Sequence, residues 1–319
     1  MTDVLEQLPK DPILERRELV KAVSARTLRR RSLTSKGMVG LCALAFVLAL
    51  VPLVAILYSL VSKGLHWWSR EFFTTSPAVP SIGNPNNVGG FANAIVGTLV
   101  IIGLATMLAI PVGLLAGLLV AESDSRFARM LRSTAEIMTG LPSILLGIFA
   151  YTVLVIGGEK WGITFPTIGY SGIAGAFAIG VLMVPIIMKA SEASLRSVPQ
   201  VVKEAGLALG ARRSVVARRI IVPTALPGLI TSVLLAVSRG VGETAPLIWV
   251  VGASIYNPLT WNPHHPMSAI PMMIWLNYNS PYPGFQDSAW GIALFLVVVV
   301  LFLNLGCRLL AAFIQRERR

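Results

Sequence analysis

The 319-residue chain is 55% hydrophobic, only 13% of its residues are charged, and its mean hydropathy is +0.72. Soluble domains carry about 25% charged residues. This composition therefore excludes an ordinary soluble protein and predicts a chain that crosses a membrane several times. The formal net charge of +12 raises nucleic-acid binding as an alternative, and the positions of the basic residues decide between the two.

Six apolar segments are long enough, or nearly so, to cross a bilayer, which takes about 20 residues of helix. We predict an all-α integral membrane protein with six transmembrane helices, at Gly37–Val61, Ala92–Val120, Thr134–Ile156, Ile173–Met188, Leu226–Val251 and Ala289–Ile314. The chain then divides into a basic tail 1–36, an anchor helix 37–62, an outer loop 63–91, a transmembrane domain 92–314 and a basic C-terminus 315–319. The tail is too long and polar for a signal peptide, so we expect the first apolar segment to remain as an anchor.

The basic residues alternate with the predicted spans. Of the 27 Lys and Arg residues, 23 lie in segments 1–36, 121–132, 189–223 and 308–319, whereas the alternate segments 63–91, 157–171 and 252–288 hold only Lys63, Arg70 and Lys160. Cytoplasmic loops of membrane proteins carry this excess of positive charge. We therefore predict that both termini are cytoplasmic and that the basicity reflects topology and not nucleic-acid binding. The basic segment Asp11–Arg31 is expected to lie against anionic membrane lipids.

The sequence carries no recognisable catalytic motif. It contains no phosphate-binding G-x-x-x-x-G-K-[ST] loop and no H-E-x-x-H zinc motif, and His264 and His265 lie between prolines of an outer segment without further ligands. We predict that the chain is not an enzyme and holds no cofactor or metal. Transport is favoured, with a secondary transporter, a membrane enzyme and a receptor as the alternatives.

The longest internal cytoplasmic segment predicts a helical hairpin. Pro199 precedes a helix-forming stretch, Gln200–Leu209, where a proline breaks no interior hydrogen bond. Gly210 is the expected C-cap of that helix. A second short helix is predicted from Arg212 to about Ile221, where Pro223 is expected to stop it.

This segment, about 196–223, resembles the EAA loop of ABC-importer permeases, whose pattern is E-A-A, three residues, G, nine residues and I-x-L-P. The matching residues are Glu204, Ala205, Gly210, Ile220 and Pro223, while Gly206 replaces the second alanine and Val222 the leucine. The resemblance implies the type I ABC-importer permease (MetI-like) fold and a place in a bacterial inner membrane. It also implies that the loop docks on a separate cytoplasmic ABC ATPase dimer, which binds ATP and Mg and hydrolyses the ATP.

Four further stretches resemble the A-type (PstA-type) permeases of phosphate-specific importers. They are GGFANAIVGTL from Gly89, GLPSILLG from Gly140, GETAPL from Gly242 and PMSAIP from Pro266. The likeness covers about Gly89 to Ile314. It implies inward transport of inorganic phosphate by alternating access, with a second, C-type permease and an extracytoplasmic phosphate-binding protein as partners. An ABC permease for another oxyanion, such as molybdate, sulfate or phosphonate, remains the alternative.

Two full charges, Arg239 and Glu243, lie in the fifth predicted span. Their i, i+4 spacing puts them within side-chain reach on one helical face. We expect this face to point into the bundle or a wet cavity, because an arginine in mid-bilayer costs about 2.5–3.5 kcal/mol on insertion scales. In a phosphate pathway Arg239 would bind the anion, Glu243 would hold the guanidinium in place and Thr244 would add a hydroxyl. A purely structural ion pair is the alternative.

Overall fold

The computed structural model describes residues 12–79, 88–157 and 167–316. Apart from one isolated β-bridge between Pro77 and Gly89, the regular elements in these ranges are helical, which confirms the predicted all-α fold. The chain divides into two compact units, residues 1–59 and Leu60–Arg319. The predictions that concern residues 1–11, Lys160 and residues 317–319 lie outside the described ranges.

Twelve helices are described in those ranges. They are α1 Pro12–Gly64, α2 Arg70–Thr74, α3 Ala92–Glu122, α4 Arg126–Gly140, α5 Ser143–Ala150, α6 Gly172–Arg196, α7 Gln200–Ala208, α8 Arg213–Val216, α9 Val222–Val241, α10 Ala245–Val250, α11 Ile270–Tyr278 and α12 Pro283–Arg316. A 3-10 turn, Leu65–Trp67, follows α1. Single π-helical turns, Tyr151–Val155 and Ala217–Ile221, extend α5 and connect α8 to α9.

The first unit contains most of α1, which runs without interruption from Pro12 to Gly64. The predicted basic segment Asp11–Arg31 and the anchor therefore belong, from Pro12 onwards, to one helix. In the anchor part, large apolar side chains such as Leu41, Phe46 and Ile56 are more than half exposed. Such a surface is expected of a helix that contacts lipid or another membrane subunit.

The six predicted spans correspond to five or six candidate spans in the structure, and the third predicted span is bent. Five helices among the described residues are long and apolar enough to cross a membrane, and α4 with α5 makes a sixth candidate that bends by 103°. The bend lies at Leu141–Pro142, because a residue before proline is forced out of the helical region, and Leu141 has φ −73° and ψ 140°. The predicted third span, Thr134–Ile156, is therefore not one uninterrupted helix, and its first seven residues belong to the polar helix α4.

Helices α3 and α6 form the centre of the second unit. They approach closely at small residues: a Cβ at Gly113 would lie 2.7 Å from the Cβ of Ile187, and one at Gly180 would lie 2.8 Å from a methyl of Leu108. Small residues allow such close contact between membrane helices. The buried core includes Ile101, Ile179 and Met183 in these two helices and Ala236 in α9. This packing makes α3 and α6 one block.

The outer segment 252–288 folds back into the bundle as a cap. The amide of Asn93 in α3 donates to the carbonyl oxygens of Ile255 (3.1 Å) and Asn257 (2.8 Å) and to the hydroxyl of Ser268 (3.2 Å). The backbone N–H of Ile270 donates to the Thr98 hydroxyl at 2.9 Å. These bonds satisfy polar groups that would otherwise be buried without partners, and so they hold the segment in one place.

The cap depends on a close approach at Gly97, where a Cβ would overlap the carbonyl oxygen of Ser268. We expect Gly97→Ala to destabilise the protein by about 1–3 kcal/mol, as overpacking against a backbone atom does. The measurement is the midpoint of thermal unfolding in detergent. Gly103→Ala is the matched control on the same helix, because no atom lies within 4 Å of its added methyl group. Equal midpoints for the two variants would contradict the packing described.

Candidate coupling and translocation sites

The segment predicted to be cytoplasmic, from Ser197 to Ile221 and named here the cytoplasmic hairpin, has the predicted helix–glycine–helix form. After α6 ends at Arg196, the turn Ser197–Pro199 leads into α7, Gln200–Ala208, as the sequence predicted. Gly210 follows with φ +79°, a left-handed conformation that glycine adopts without strain. Its N–H donates to the carbonyl oxygen of Leu207 at 2.9 Å and closes the end of the helix. The expected C-cap role of Gly210 is confirmed.

The second helix of the hairpin does not stop at Pro223, and that prediction was wrong. Arg213–Val241 is one continuous candidate span. Within it, the N–H of Val222 donates to the carbonyl oxygen of Ala217, five residues earlier. Pro223, which has no N–H to donate, lies where this π-helical pattern returns to the α-helical one. The cytoplasmic hairpin is thus continuous with the membrane helix α9.

The glycine at position 206, where the loop pattern has alanine, packs against the second helix. A Cβ on Gly206 would lie 2.7 Å from the terminal methyl of Ile220 and 3.1 Å from a methyl of Val216. Both partners belong to the stretch that leads into α9. Leu195, Val198, Val216, Ile221, Ala225 and Leu229 form a buried cluster beneath this contact. The hairpin is therefore fixed to the membrane helices on one side.

The opposite side of α7 is open and partly apolar. Glu204 and Ala205 are exposed, Val201 is 75% exposed, and Leu209 just after the helix is 89% exposed. An exposed apolar helix face in a cytoplasmic loop is unfavourable in water and is typical of a protein–protein contact.

Ion pairs connect the cytoplasmic ends of four helices. Glu192 of α6 pairs with Arg132 of α4 and with Arg196 of α6. Arg196 also donates to the carbonyl oxygen of Val120 in α3, at 3.1 Å. A separate pair joins Lys203 of α7 to Glu122 of α3, so both hairpin and bundle contribute charges to this surface.

The fifth predicted span, Leu226–Val251, is interrupted at the two predicted charges. Helix α9 ends at Val241, and α10 begins at Ala245 after the break 242–244. The Nε of Arg239 lies 3.2 Å from Oε1 of Glu243, which confirms that the two side chains are within reach. Thr244, the N-cap residue of α10, is half-buried, and its side chain makes no capping hydrogen bond.

The direction of Arg239 differs from the prediction. Helical spacing puts the small residues Ser232, Ala236 and Gly240 on the same face of α9 as Arg239. These three residues are buried, and the Ser232 hydroxyl lies 2.9 Å from that of Ser191 in α6, so this strip of small residues faces the bundle. Arg239 lies on the adjacent strip, and its side chain is 59% exposed while that of Glu243 is 14% exposed. Sequence spacing placed both strips on one face, but only the first packs inward. Within this chain the guanidinium lies at the surface.

A cavity of about 400 Å³ lies near this region, between α3, α9 and α12. Its lining is almost wholly apolar and includes Leu99, Ile102, Val241 and Phe295, with Thr98 and Thr106 as the polar members. Charged groups need paired or hydrogen-bonding partners when they leave water. This cavity therefore offers no environment for an anion, and the exposed Arg239 is the better candidate for one.

Comparison with known proteins shows the family to which this chain belongs. Residues 109–319 match the family described as "Binding-protein-dependent transport system inner membrane component". The chain belongs to this family. It is also 35% identical over 290 residues to the "Phosphate transport system permease protein PstA" of Haemophilus influenzae, covering 90% of this chain and 96% of the relative. A "Phosphate transport system permease protein PstA 1" of Mycobacterium tuberculosis is 33% identical over 303 residues, with 92% of each chain covered.

Solved structures of the same fold support the architecture. The inward-facing MetNI methionine ABC transporter matches with a TM-score of 0.52 at 17% identity, over 70% of this chain and 95% of that one. A bacterial alginate ABC transporter, solved with an alginate-bound periplasmic protein, matches with a TM-score of 0.57 at 15% identity, over 96% of each chain. Together with the family match, these confirm an integral membrane permease with the MetI-like fold. As a family, such permeases are not catalytic proteins.

Sequence reasoning missed the contacts that join the cytoplasmic helix ends. Lys203 and Glu122 are 81 residues apart, and Arg132 and Glu192 are 60 apart. No local spacing pairs residues at such separations. Glu136 lies at i, i+4 from Arg132, but in the structure Arg132 pairs with Glu192 on a different helix.

Proposed function

We propose that this chain is the A-type permease subunit of an ATP-driven importer that moves inorganic phosphate inward by alternating access. The observation that carries the proposal is the cytoplasmic hairpin. It exposes α7 on one side and continues into membrane helix α9 on the other. The chain's similarity to PstA phosphate permeases over about nine-tenths of its length supports phosphate as the cargo.

The motor belongs to a separate polypeptide in this proposal. The exposed apolar side chains of Val201 in α7 and of Leu209 just after it are the surface on which a cytoplasmic ABC ATPase dimer docks. Glu204 and Ala205 lie on the same exposed helix. ATP and Mg bind to that dimer, and its closure displaces α7. Because the hairpin is continuous with α9, the displacement reaches the membrane helices without a flexible connection.

The passage for phosphate is completed by a second permease. Arg239 is 59% exposed on this chain, and an arginine in a membrane span is costly unless it faces a partner subunit or water. A C-type permease packed against this side would enclose it. An extracytoplasmic phosphate-binding protein delivers the substrate and provides most of the selectivity.

Arg239, Glu243 and Thr244 have distinct roles in this passage. Arginine keeps its charge and presents a planar fork of donors that fits phosphate oxygens. Glu243, whose Oε1 lies 3.2 Å from the Arg239 Nε, fixes the guanidinium and reduces its net attraction, so that phosphate is released. The side chain of Thr244 makes no capping hydrogen bond, and its hydroxyl is an additional donor for the anion.

Cargo is tested by uptake of labelled phosphate in a cell that lacks its own phosphate importer and carries this chain with its partner subunits. We expect excess unlabelled phosphate to abolish the uptake, and excess molybdate, sulfate or phosphonate to leave it unchanged. Competition by one of these three anions as strong as that by phosphate would assign a different oxyanion. Uptake that persists after ATP is depleted would instead point to a secondary transporter.

A further inference from the structure

An ion pair braces the cytoplasmic helix α7 against the end of the membrane helix α3. Nζ of Lys203 lies 2.8 Å from Oε1 of Glu122, and the two side chains are only 15% and 31% exposed. Both residues line a cavity of about 310 Å³ between α7 and the cytoplasmic ends of the bundle. The pair therefore crosses a gap that apolar packing does not fill.

Local helix stability does not explain these two charges. Glu122 is the last residue of α3, and Lys203 is the fourth residue of α7. The helix dipole favours cations at C-terminal ends and anions at N-terminal ends. Each residue thus has the less favourable sign for its own helix. Their mutual contact is the interaction that offsets this, which indicates that the connection between the helices is the reason for both charges.

The position of the pair gives it a mechanical consequence. Helix α6 is joined to α7 only by the three-residue turn Ser197–Pro199, about which α7 could pivot. Helix α3 is packed tightly on α6, and a Cβ at Gly117 would lie 2.9 Å from the Met188 carbonyl oxygen. The ion pair of Lys203 attaches α7 to this block at a second point, in addition to the turn. Pivoting would then have to break the ion pair.

We propose that Lys203 and Glu122 are positioning residues that make α7 a rigid lever on the α3–α6 block. The proposal rests on the proposed function, because it assumes that an ATPase displaces α7. Through the covalent chain and the Gly206 contact, α7 pushes on α9. Through the Lys203–Glu122 pair it also moves α3, so that helices on both sides of the bundle change position in one step.

The test uses the assembled transporter in proteoliposomes, with phosphate transported per ATP hydrolysed as the readout. For Glu122→Gln and Lys203→Gln we expect normal co-purification of the ATPase and a transport-to-hydrolysis ratio lowered about tenfold, within the usual range of coupling between sites. The double exchange Glu122→Lys with Lys203→Glu restores the ion pair and suits both helix dipoles. We expect it to recover at least half of the ratio.

Asp124→Asn is the matched control, since Asp124 lines the same cavity and makes no ion pair among the described residues. We expect its transport-to-hydrolysis ratio to stay within twofold of that of the unmodified protein. An unchanged transport-to-hydrolysis ratio in both single variants would overturn the proposal that this ion pair couples α7 to α3. A double exchange whose ratio is no higher than those of the single variants would overturn it as well. A different failure, in which no ATPase co-purifies even with the unmodified chain, would overturn the proposed function instead.

Discussion

Arg239→Gln is expected to lower phosphate uptake by between about 10-fold and about 100-fold while the transporter still assembles. A hydrogen bond to a charged group contributes about 1.5–3 kcal/mol, and each 1.4 kcal/mol corresponds to about a tenfold change. The Arg239 side chain is 59% exposed on this chain, and its recorded ion-pair partner is Glu243. Losing the guanidinium therefore leaves this chain's core intact and removes the cation from the passage. The measurement is labelled phosphate uptake at equal amounts of assembled complex.

Two neighbouring variants separate a pathway role from a structural one. Glu243→Gln keeps Arg239 but removes the ion pair that holds its guanidinium. We expect this variant to assemble normally and to transport phosphate more slowly. Ser238→Ala is the matched control, because Ser238 is half-buried next to Arg239 and its uncharged hydroxyl donates only a long hydrogen bond, 3.5 Å, to Oδ1 of Asn304; we expect uptake to stay within twofold. If Arg239→Gln transports phosphate at the normal rate, the cation is a structural ion pair and the passage lies elsewhere.

Gly210→Val is expected to detach the motor without disturbing the membrane fold. Gly210 has φ +79°, and a side chain in this left-handed region costs about 1–2 kcal/mol, more for a β-branched one. No atom lies within 4 Å of the added Cβ, so the effect comes from the backbone alone. The turn after α7 would change shape, and we expect ATPase association to weaken and uptake to fall about tenfold or more.

Gly210→Asn is the control for this effect. Asparagine tolerates the left-handed region far better than valine does, so this variant should bind the ATPase and transport phosphate almost normally. Pull-down of the ATPase with each purified variant gives the comparison. Normal association in Gly210→Val would show that the geometry of this turn is not needed for docking.

The sequence predicted the class of fold because the bilayer imposes a simple rule on apolar length. Six spans could be counted from that rule, but their interruptions could not be located. The bend at Leu141–Pro142 and the break at 242–244 lie within segments that were each predicted as one span, and apolar length alone does not show where a helix is interrupted. At Pro223 the error was the opposite one, because the sequence predicted a helix end where the helix continues. A π-helical turn accommodates this proline within one continuous helix.

Features of the candidate sites could be predicted from the sequence only where they depend on residues that are close together in the chain. The i, i+4 pair Arg239–Glu243 and the cap at Gly210 depend on neighbours a few residues away, and both are present. Which strip of α9 packs inward depends on α6, and the Lys203–Glu122 pair depends on how α7 folds back toward α3. Such contacts arise from tertiary packing, which spacing along one helix does not encode.

The most direct test of the account is ATP-dependent phosphate uptake by proteoliposomes that contain this chain, a C-type permease and the ATPase, with the phosphate-binding protein supplied outside. We predict that labelled phosphate moves toward the ATPase side only when ATP is hydrolysed there. Uptake of equal rate without ATP, or with the ATPase left out, would contradict the claim that an external motor drives this permease through its cytoplasmic hairpin.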